Sequence, residues 1–162
     1  MRLLALTAAI WLAAGASHAA DPGAVLRLRT RLGRGAPVAL GEALGMAPAI
    51  VAVLASYCPP CRAEVPVLSR AAKRWRADGV RIVGLMADGD DPATIARIAK
   101  DWGIDFELRG VPADQAEAMH ALLPDGLPAA FAVHGRTVVR HDRLLTDADV
   151  EALVTPFLRP RP

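Results

Sequence analysis

The sequence has 162 residues, a length that suits one domain with its own hydrophobic core. Hydrophobic residues make up 53% of the chain, and an apolar N-terminal segment contributes part of that fraction. The 19 basic and 17 acidic residues leave a net charge of only +2, and the arginines are scattered between acids. This balance argues against a protein that binds nucleic acid.

The N-terminal segment has the pattern of a secretory signal peptide. Arg2 precedes an apolar run over residues 3–14, and small residues then follow as far as Ala19. The sequence Ser17-His18-Ala19 fits the small-x-small rule, so we expect residues 1–19 to be removed. The apolar run is shorter than the roughly 20 residues that span a bilayer, although an uncleaved membrane anchor is the alternative. We expect one domain over residues 20–158 and a disordered tail over residues 159–162.

The residues that follow predict a short N-terminal extension ahead of the main domain. Over residues 26–34 leucines alternate with Arg27, Arg29, Arg31 and Arg34, a pattern typical of a solvated strand face. Residues 37–40 then predict a second short strand or one arm of a hairpin.

The two cysteines of the chain, Cys58 and Cys61, are three residues apart. An uninterrupted apolar run over residues 49–55 precedes them and predicts a buried strand of a parallel sheet. A helical pattern follows from near Pro59 to Ala77, so both sulfurs fall in the first turn of a helix. The positive end of the helix dipole favours a thiolate there, and we expect a lowered pKa for Cys58.

This spacing has two other interpretations. A disulfide that closes so small a ring removes little loop entropy, so a purely structural bridge is disfavoured. Paired cysteines also bind zinc, but two thiolates are only half of a closed tetrahedral site. A metal site would need side chains from the histidines at other positions, namely His120, His134 or His141.

The rest of the chain alternates further strands and helices. Strands are predicted over residues 80–86, 104–108, 129–133 and 137–141, the last two joined by a turn that contains Gly135. Helices are predicted after Asp91, from Pro112, and after Thr146, with Asp91 as the N-cap of the first of them. The order predicts an α/β protein with a mixed central sheet flanked by helices.

The cysteine region resembles the active site of thioredoxin-like proteins, in particular the periplasmic TlpA/ResA-type thiol–disulfide oxidoreductases. Those proteins carry a CxxCxxExP pattern after a buried strand, and here Cys58, Cys61, Glu64 and Pro66 match it. A second landmark is Gly126-Leu127-Pro128 before a predicted strand. The resemblance covers residues 35–158 and implies a thioredoxin fold.

The resemblance also implies roles for individual residues. Pro128 would follow a cis peptide bond and face the cysteines, with an ordinary trans proline as the alternative. The groove for an extended substrate would include Leu127 and Pro128 together with the residues beside the cysteines, which are Tyr57, Pro59 and Pro60. Glu64 would take the proton of Cys61; the alternative is an acid that only favours the start of the helix.

The resemblance implies a reductant of protein disulfides, for example in cytochrome c maturation or copper-site assembly. We expect protein disulfide and dithiol substrates, a membrane-bound electron donor and a periplasmic location, with no cofactor, no metal and no nucleic-acid partner. Two alternatives stay open. One is a copper metallochaperone of the same fold, and the other is an oxidant that introduces disulfides.

Overall fold

The computed structural model describes residues 21–158. The predicted signal peptide and the predicted C-terminal tail lie outside the described residues. Within residues 21–158, no helix combines the length and the apolar character that crossing a bilayer requires.

The described part of the chain begins with the N-terminal extension. A 3-10 helix over Pro22–Arg27 is followed by β1 (Arg29–Thr30), β2 (Val38–Ala39) and α1 (Leu40–Leu44), and β1 pairs with β2 antiparallel. The predicted strand face over residues 26–34 is therefore wrong for residues 26–27, which end the 3-10 helix, and β1 covers only Arg29–Thr30. Asp21 caps the 3-10 helix by accepting a hydrogen bond from the Gly23 amide, and the helix buries Val25.

A mixed five-stranded sheet forms the centre of the protein, as predicted. Its order is β5-β4-β3-β6-β7, with parallel pairing among the first three strands and antiparallel pairing of β6 with both β3 and β7. The strands are β3 (Ala49–Leu54), β4 (Arg81–Met86), β5 (Glu107–Gly110), β6 (Ala129–His134) and β7 (Thr137–His141).

Four helices of the main domain flank this sheet, namely α2 (Pro59–Arg74), α3 (Pro92–Trp102), α4 (Ala116–Ala121) and α5 (Asp147–Val154). Every residue of β3 is buried, and its side chains alternate between two core clusters. Residues of α2, α3 and α5 contribute to the cluster that contains both cysteines. The extension and α4 contribute to the other cluster.

The bounds of several predicted elements are wrong. The helix predicted from Pro112 is a 3-10 turn over Ala113–Gln115 followed by α4 from Ala116. β5 begins at Glu107 and not at residue 104, because pairing with β4 begins where Val83 faces Glu107. Ile104 instead bonds through its amide to the Ala99 carbonyl at the end of α3. α2 ends at Arg74, and a separate 3-10 turn covers Arg76–Asp78.

Candidate active site

Three loops that are distant in sequence meet at one end of the sheet. Val53 near the end of β3 pairs with Ala129 at the start of β6, and Ala130 pairs with His141 at the end of β7. The loop after β3, the loop before β6 and the loop after β7 therefore lie at the same end of the sheet. We call it the cysteine end, because Cys58 follows β3 there.

The two cysteines form a disulfide at the start of α2. The sulfur atoms are 2.08 Å apart and the Cα atoms 5.3 Å apart. Cys58 is the N-cap residue, and its Sγ accepts a hydrogen bond from the Cys61 amide at 3.2 Å. The residue exposure is 7% for Cys58 and 0% for Cys61. Only the first sulfur is therefore placed to meet a second protein.

The N-cap position bears on the chemistry of a reduced Cys58. The first backbone amides of a helix lack intrahelical partners and carry partial positive charge. One of these amides already points at Sγ, so a thiolate formed there would accept a charge-assisted hydrogen bond. The lowered pKa of Cys58 stays a prediction, since the sulfur is bonded in this structure.

The loop before Cys58 is held by a carboxylate from the neighbouring strand. Asp88 follows β4, and its Oδ2 accepts hydrogen bonds from the Ser56 amide at 3.0 Å and the Ser56 hydroxyl at 2.5 Å. The Cys58 amide donates to the Ala55 carbonyl at 3.0 Å. Sequence reasoning missed this role of Asp88. The available signal was its position just after β4, the strand that pairs with β3 in parallel.

Glu64 lies on α2 one turn beyond Cys61 and is 1% exposed. Its Oε1 accepts a hydrogen bond from the Leu145 amide at 2.6 Å, whereas Oε2 has no hydrogen-bond partner among the described residues. Burial raises the pKa of Glu64 from 4.5 to about 7, and the bond from Leu145 opposes that rise only in part. This carboxyl group can therefore take up or release a proton near neutral pH.

The peptide bond between Leu127 and Pro128 is cis, as the resemblance implied. It lies directly before β6, and Gly126 precedes it with a φ of +81° that favours glycine. Leu127 is half-buried and packs against the cluster that contains both cysteines. Both residues thus lie on a second loop of the cysteine end, while their role in substrate binding stays a prediction.

Three more of the predicted contact residues are next to the cysteines in the sequence, and all three lie at the surface. Tyr57 is 73% exposed, and Pro59 and Pro60 are also exposed. An exposed aromatic ring beside a nearly buried sulfur offers apolar area to a second protein. Their roles as substrate contacts stay predictions.

The histidines of the metal alternative are spread over the fold. His120 is in α4, His134 lies at the far end of the β6–β7 hairpin, and His141 ends β7 at the cysteine end. Within residues 21–158, no three His, Cys, Asp or Glu side chains are grouped so that they could hold a metal ion.

Solved structures with a similar fold include thiol–disulfide proteins. DsbF of Mycobacterium tuberculosis superposes with a TM-score of 0.66 at 21% identity, over 82% of this chain and 96% of that one. A secreted M. tuberculosis disulfide oxidoreductase homologous to Escherichia coli DsbE gives 0.64 at 20%, over 85% and 99%. A DsbF homologue from Corynebacterium diphtheriae gives 0.60 at 17%, over 80% and 85%. These likenesses confirm the predicted thioredoxin-like fold.

The sequence comparisons include a partial match to a curated protein and a match to a family over most of the chain. The bifunctional protein FolD 2 of Desulfitobacterium hafniense is 36% identical over 75 residues, which is 42% of this chain. The chain spans only 26% of the length of that curated relative. The broad match is the AhpC/TSA family, whose profile aligns with residues 25–142 and so includes both cysteines, Glu64 and Pro128. The chain therefore belongs to the AhpC/TSA family, and the thioredoxin-like resemblance predicted from its CxxCxxExP pattern is confirmed.

Proposed function

We propose that this protein is an exported thiol–disulfide oxidoreductase that reduces disulfides in partner proteins through the Cys58–Cys61 dithiol. The observation that carries the proposal is the pair itself. One sulfur caps a 16-residue helix and belongs to a residue that is 7% exposed, and the other is fully buried one turn behind it. Family membership and the DsbE- and DsbF-like fold support the same class of chemistry.

The reaction begins at Cys58 in the reduced protein. Its thiolate attacks one sulfur of the partner disulfide, and the partner S–S bond breaks. A bond forms between Cys58 and the partner, and the first partner sulfur leaves as a thiolate that takes a proton from water. Stabilisation of the Cys58 thiolate by the helix N-terminus makes it the attacking group.

Cys61 completes the reaction from within the protein. The buried thiol must first lose a proton in an apolar setting that disfavours its charge. Glu64 is three residues further along the same helix, so the two side chains share one face. The Glu64 carboxylate takes the proton, the Cys61 thiolate attacks Sγ of Cys58, and the second partner sulfur leaves. Two electrons have then passed to the partner, and Cys58–Cys61 is oxidised.

The substrate lies across the three loops of the cysteine end. Leu127 and Pro128 supply one wall, with backbone available to an extended segment of the partner. Tyr57, Pro59 and Pro60 supply exposed contacts on the other side of the sulfur. The partner is thus held by apolar and backbone contacts near Cys58 while the sulfurs exchange.

The proposal also includes the location of the protein and the direction in which it transfers electrons. The charged start, apolar run and small-x-small site of residues 1–19 direct the chain to the periplasm, where disulfides form. A reductant in that compartment needs electrons, which a membrane-bound donor would supply by reducing Cys58–Cys61. Substrates would include haem-site cysteines of apocytochrome c or a copper-site protein. A neighbour of this fold is itself described as secreted.

Trapping of mixed disulfides tests the assignment of roles. The Cys61→Ser variant should accumulate a covalent adduct with a disulfide-bonded peptide through Cys58, because nothing resolves it. The Cys58→Ser variant should accumulate almost none, since Cys61 is fully buried. Mass spectrometry of the two reaction mixtures measures the adducts, and equal trapping by both variants would contradict the scheme.

The reduction potential of Cys58–Cys61 tests the direction. Equilibration with glutathione buffers, read by alkylation and mass, gives the value. A potential near the roughly −270 mV of thioredoxin would support a reductant. A potential near the roughly −120 mV of DsbA would overturn the direction and indicate an oxidant.

A further inference from the structure

The loop between β7 and α5, residues 142–146, is fixed to the cysteine end at two points. The Leu145 amide donates to Glu64 Oε1 at 2.6 Å, a bond between residues 81 positions apart. The Leu145 side chain is 2% exposed and belongs to the packed cluster that contains Cys58 and Cys61. Both the backbone and the side chain of Leu145 therefore tie this loop to the start of α2.

The residue directly before this anchor is an exposed leucine. Leu144 is 46% exposed, although burying a leucine is normally favourable. The other exposed large apolar residues among residues 21–158 are Tyr57, Leu32, Met46 and Val139. Tyr57 is at the cysteine end, whereas Leu32 is in the extension, Met46 packs on Gly135 at the opposite end of the sheet, and Val139 is within β7.

The reaction at Cys58 determines which part of the partner protein can lie against Leu144. A mixed disulfide brings the two linked Cα atoms to about 5–6 Å. The residues beside the reacting cysteine of the partner must then pass over the loops that border Cys58. The neighbouring Arg143 forms an ion pair with Asp149 of α5 at 3.2 Å.

We propose that Leu144 is a specificity-determining residue of the redox site, and that Glu64 positions it through the Leu145 amide. Leu144 contacts the residue next to the reacting cysteine of the partner and favours an apolar side chain there over a polar one. This inference rests on the proposed function. It gives Glu64 a positioning role that is separate from its proton transfer.

Two disulfide-linked peptides of equal length, with Leu or Ser next to the cysteine, serve as probes. The reduced wild-type protein should react faster with the Leu peptide. Leu144→Ser should lower the Leu/Ser rate ratio by about fivefold, less than the roughly tenfold or greater effects of enclosed pockets, because the contact lies on an open surface. Val139→Ser is the matched control, since Val139 is 45% exposed but lies within β7, and it should leave the ratio unchanged.

Two variants of Glu64 test the positioning. Glu64→Gln keeps an oxygen that accepts the Leu145 amide but cannot act as the base, so resolution slows while the Leu/Ser ratio is retained. Glu64→Leu removes the acceptor as well, so the ratio should fall toward that of Leu144→Ser. An equal ratio in both Glu64 variants would overturn the positioning role.

The outcomes separate this inference from the proposed function. Reaction of the wild-type protein with both peptides at one rate, or a ratio unaffected by Leu144→Ser, would overturn the specificity role and leave the oxidoreductase intact. Failure of the reduced wild-type protein to react with either peptide would defeat both. Leu144 is a surface residue, so Leu144→Ser should fold and give a measurable Leu/Ser rate ratio even if a Glu64 variant folds poorly.

Discussion

Two regions of this protein hold acidic side chains in opposite ways, one partly buried at Glu107 and one fully buried at Glu64. Glu107 on β5 lies between two guanidinium groups, with Arg81 2.5 Å from one carboxylate oxygen and Arg109 3.0 Å from the other. Glu64 at the cysteine end has one backbone donor, and its Oε2 has no hydrogen-bond partner within the described chain.

The difference separates an acid whose two oxygens are paired with arginines from an acid with one oxygen that has no hydrogen-bond partner among the described residues. Arg109 also donates to Thr30 Oγ1 at 2.8 Å, so the group formed by Thr30, Arg81, Glu107 and Arg109 joins the extension to the sheet edge. We call this group the extension network. Charge-assisted bonds of this kind are strong. Glu64 has no such compensation for its burial, and its pKa rises to about 7.

The largest expected effect is on stability and comes from the extension network. Arg109→Met removes a guanidinium that is 5% exposed and leaves Thr30 Oγ1 without its donor. Breaking a buried pair by deleting one partner costs about 3–5 kcal/mol. The free energy of unfolding in urea should fall by about that amount. The rate at which reduced Cys58 reacts with a peptide disulfide should not change.

A matched arginine at the surface gives the control for this prediction. Arg27 pairs with Asp21, and both side chains are more than 60% exposed. Exposed pairs contribute about 0–1 kcal/mol, so Arg27→Met should be nearly neutral. If the two variants lost equal stability, the extension network would not be what holds the extension in place.

The next effect is a pH dependence of stability that comes from Glu64. With its pKa raised to about 7, the folded protein keeps a proton that the unfolded chain loses near 4.5. The stability from this proton is fully present below pH 4.5 and is lost as the pH rises through 7. A shift of this size corresponds to at most about 3 kcal/mol.

Urea unfolding of the oxidised protein at pH 5 and pH 8 measures this effect, because the cysteines do not titrate in the disulfide. The wild-type protein should lose more stability than Glu64→Gln between these pH values. Glu151→Gln alters an exposed acid that pairs with Arg74 and should follow the wild-type curve. Parallel curves for the wild-type protein and Glu64→Gln would show that Glu64 carries no raised pKa.

The sequence predicted the elements whose signals are local. The apolar run of β3, the Asp91 cap of α3 and the start of α5 after Thr146 all occur as expected. Local patterns were ambiguous elsewhere. Alternating Arg and Leu suit a strand, yet the buried Val25 and the Asp21 cap favour a 3-10 helix that extends into that stretch as far as Arg27.

The candidate site divides in the same way. The cysteine pair, Glu64 and Pro128 were found because they lie in motifs with fixed spacing. The Asp88 contact with Ser56 and the Leu145 contact with Glu64 were not, since they join residues 32 and 81 positions apart. Such contacts depend on which strand ends meet, and no local pattern encodes them.

The smallest effect concerns the far end of loop 142–146. Thr146 and Asp149 form the capping box of α5, in which the Thr146 hydroxyl is 2.6 Å from Asp149 Oδ2 and lowers the pKa of that carboxyl. Thr146→Ala should cost about 1 kcal/mol, measured by urea unfolding. Because Glu64 fixes the loop separately at Leu145, the Leu/Ser rate ratio should survive this change. A ratio lost in Thr146→Ala and kept in Glu64→Leu would mean that the helix cap, and not the buried acid, places Leu144.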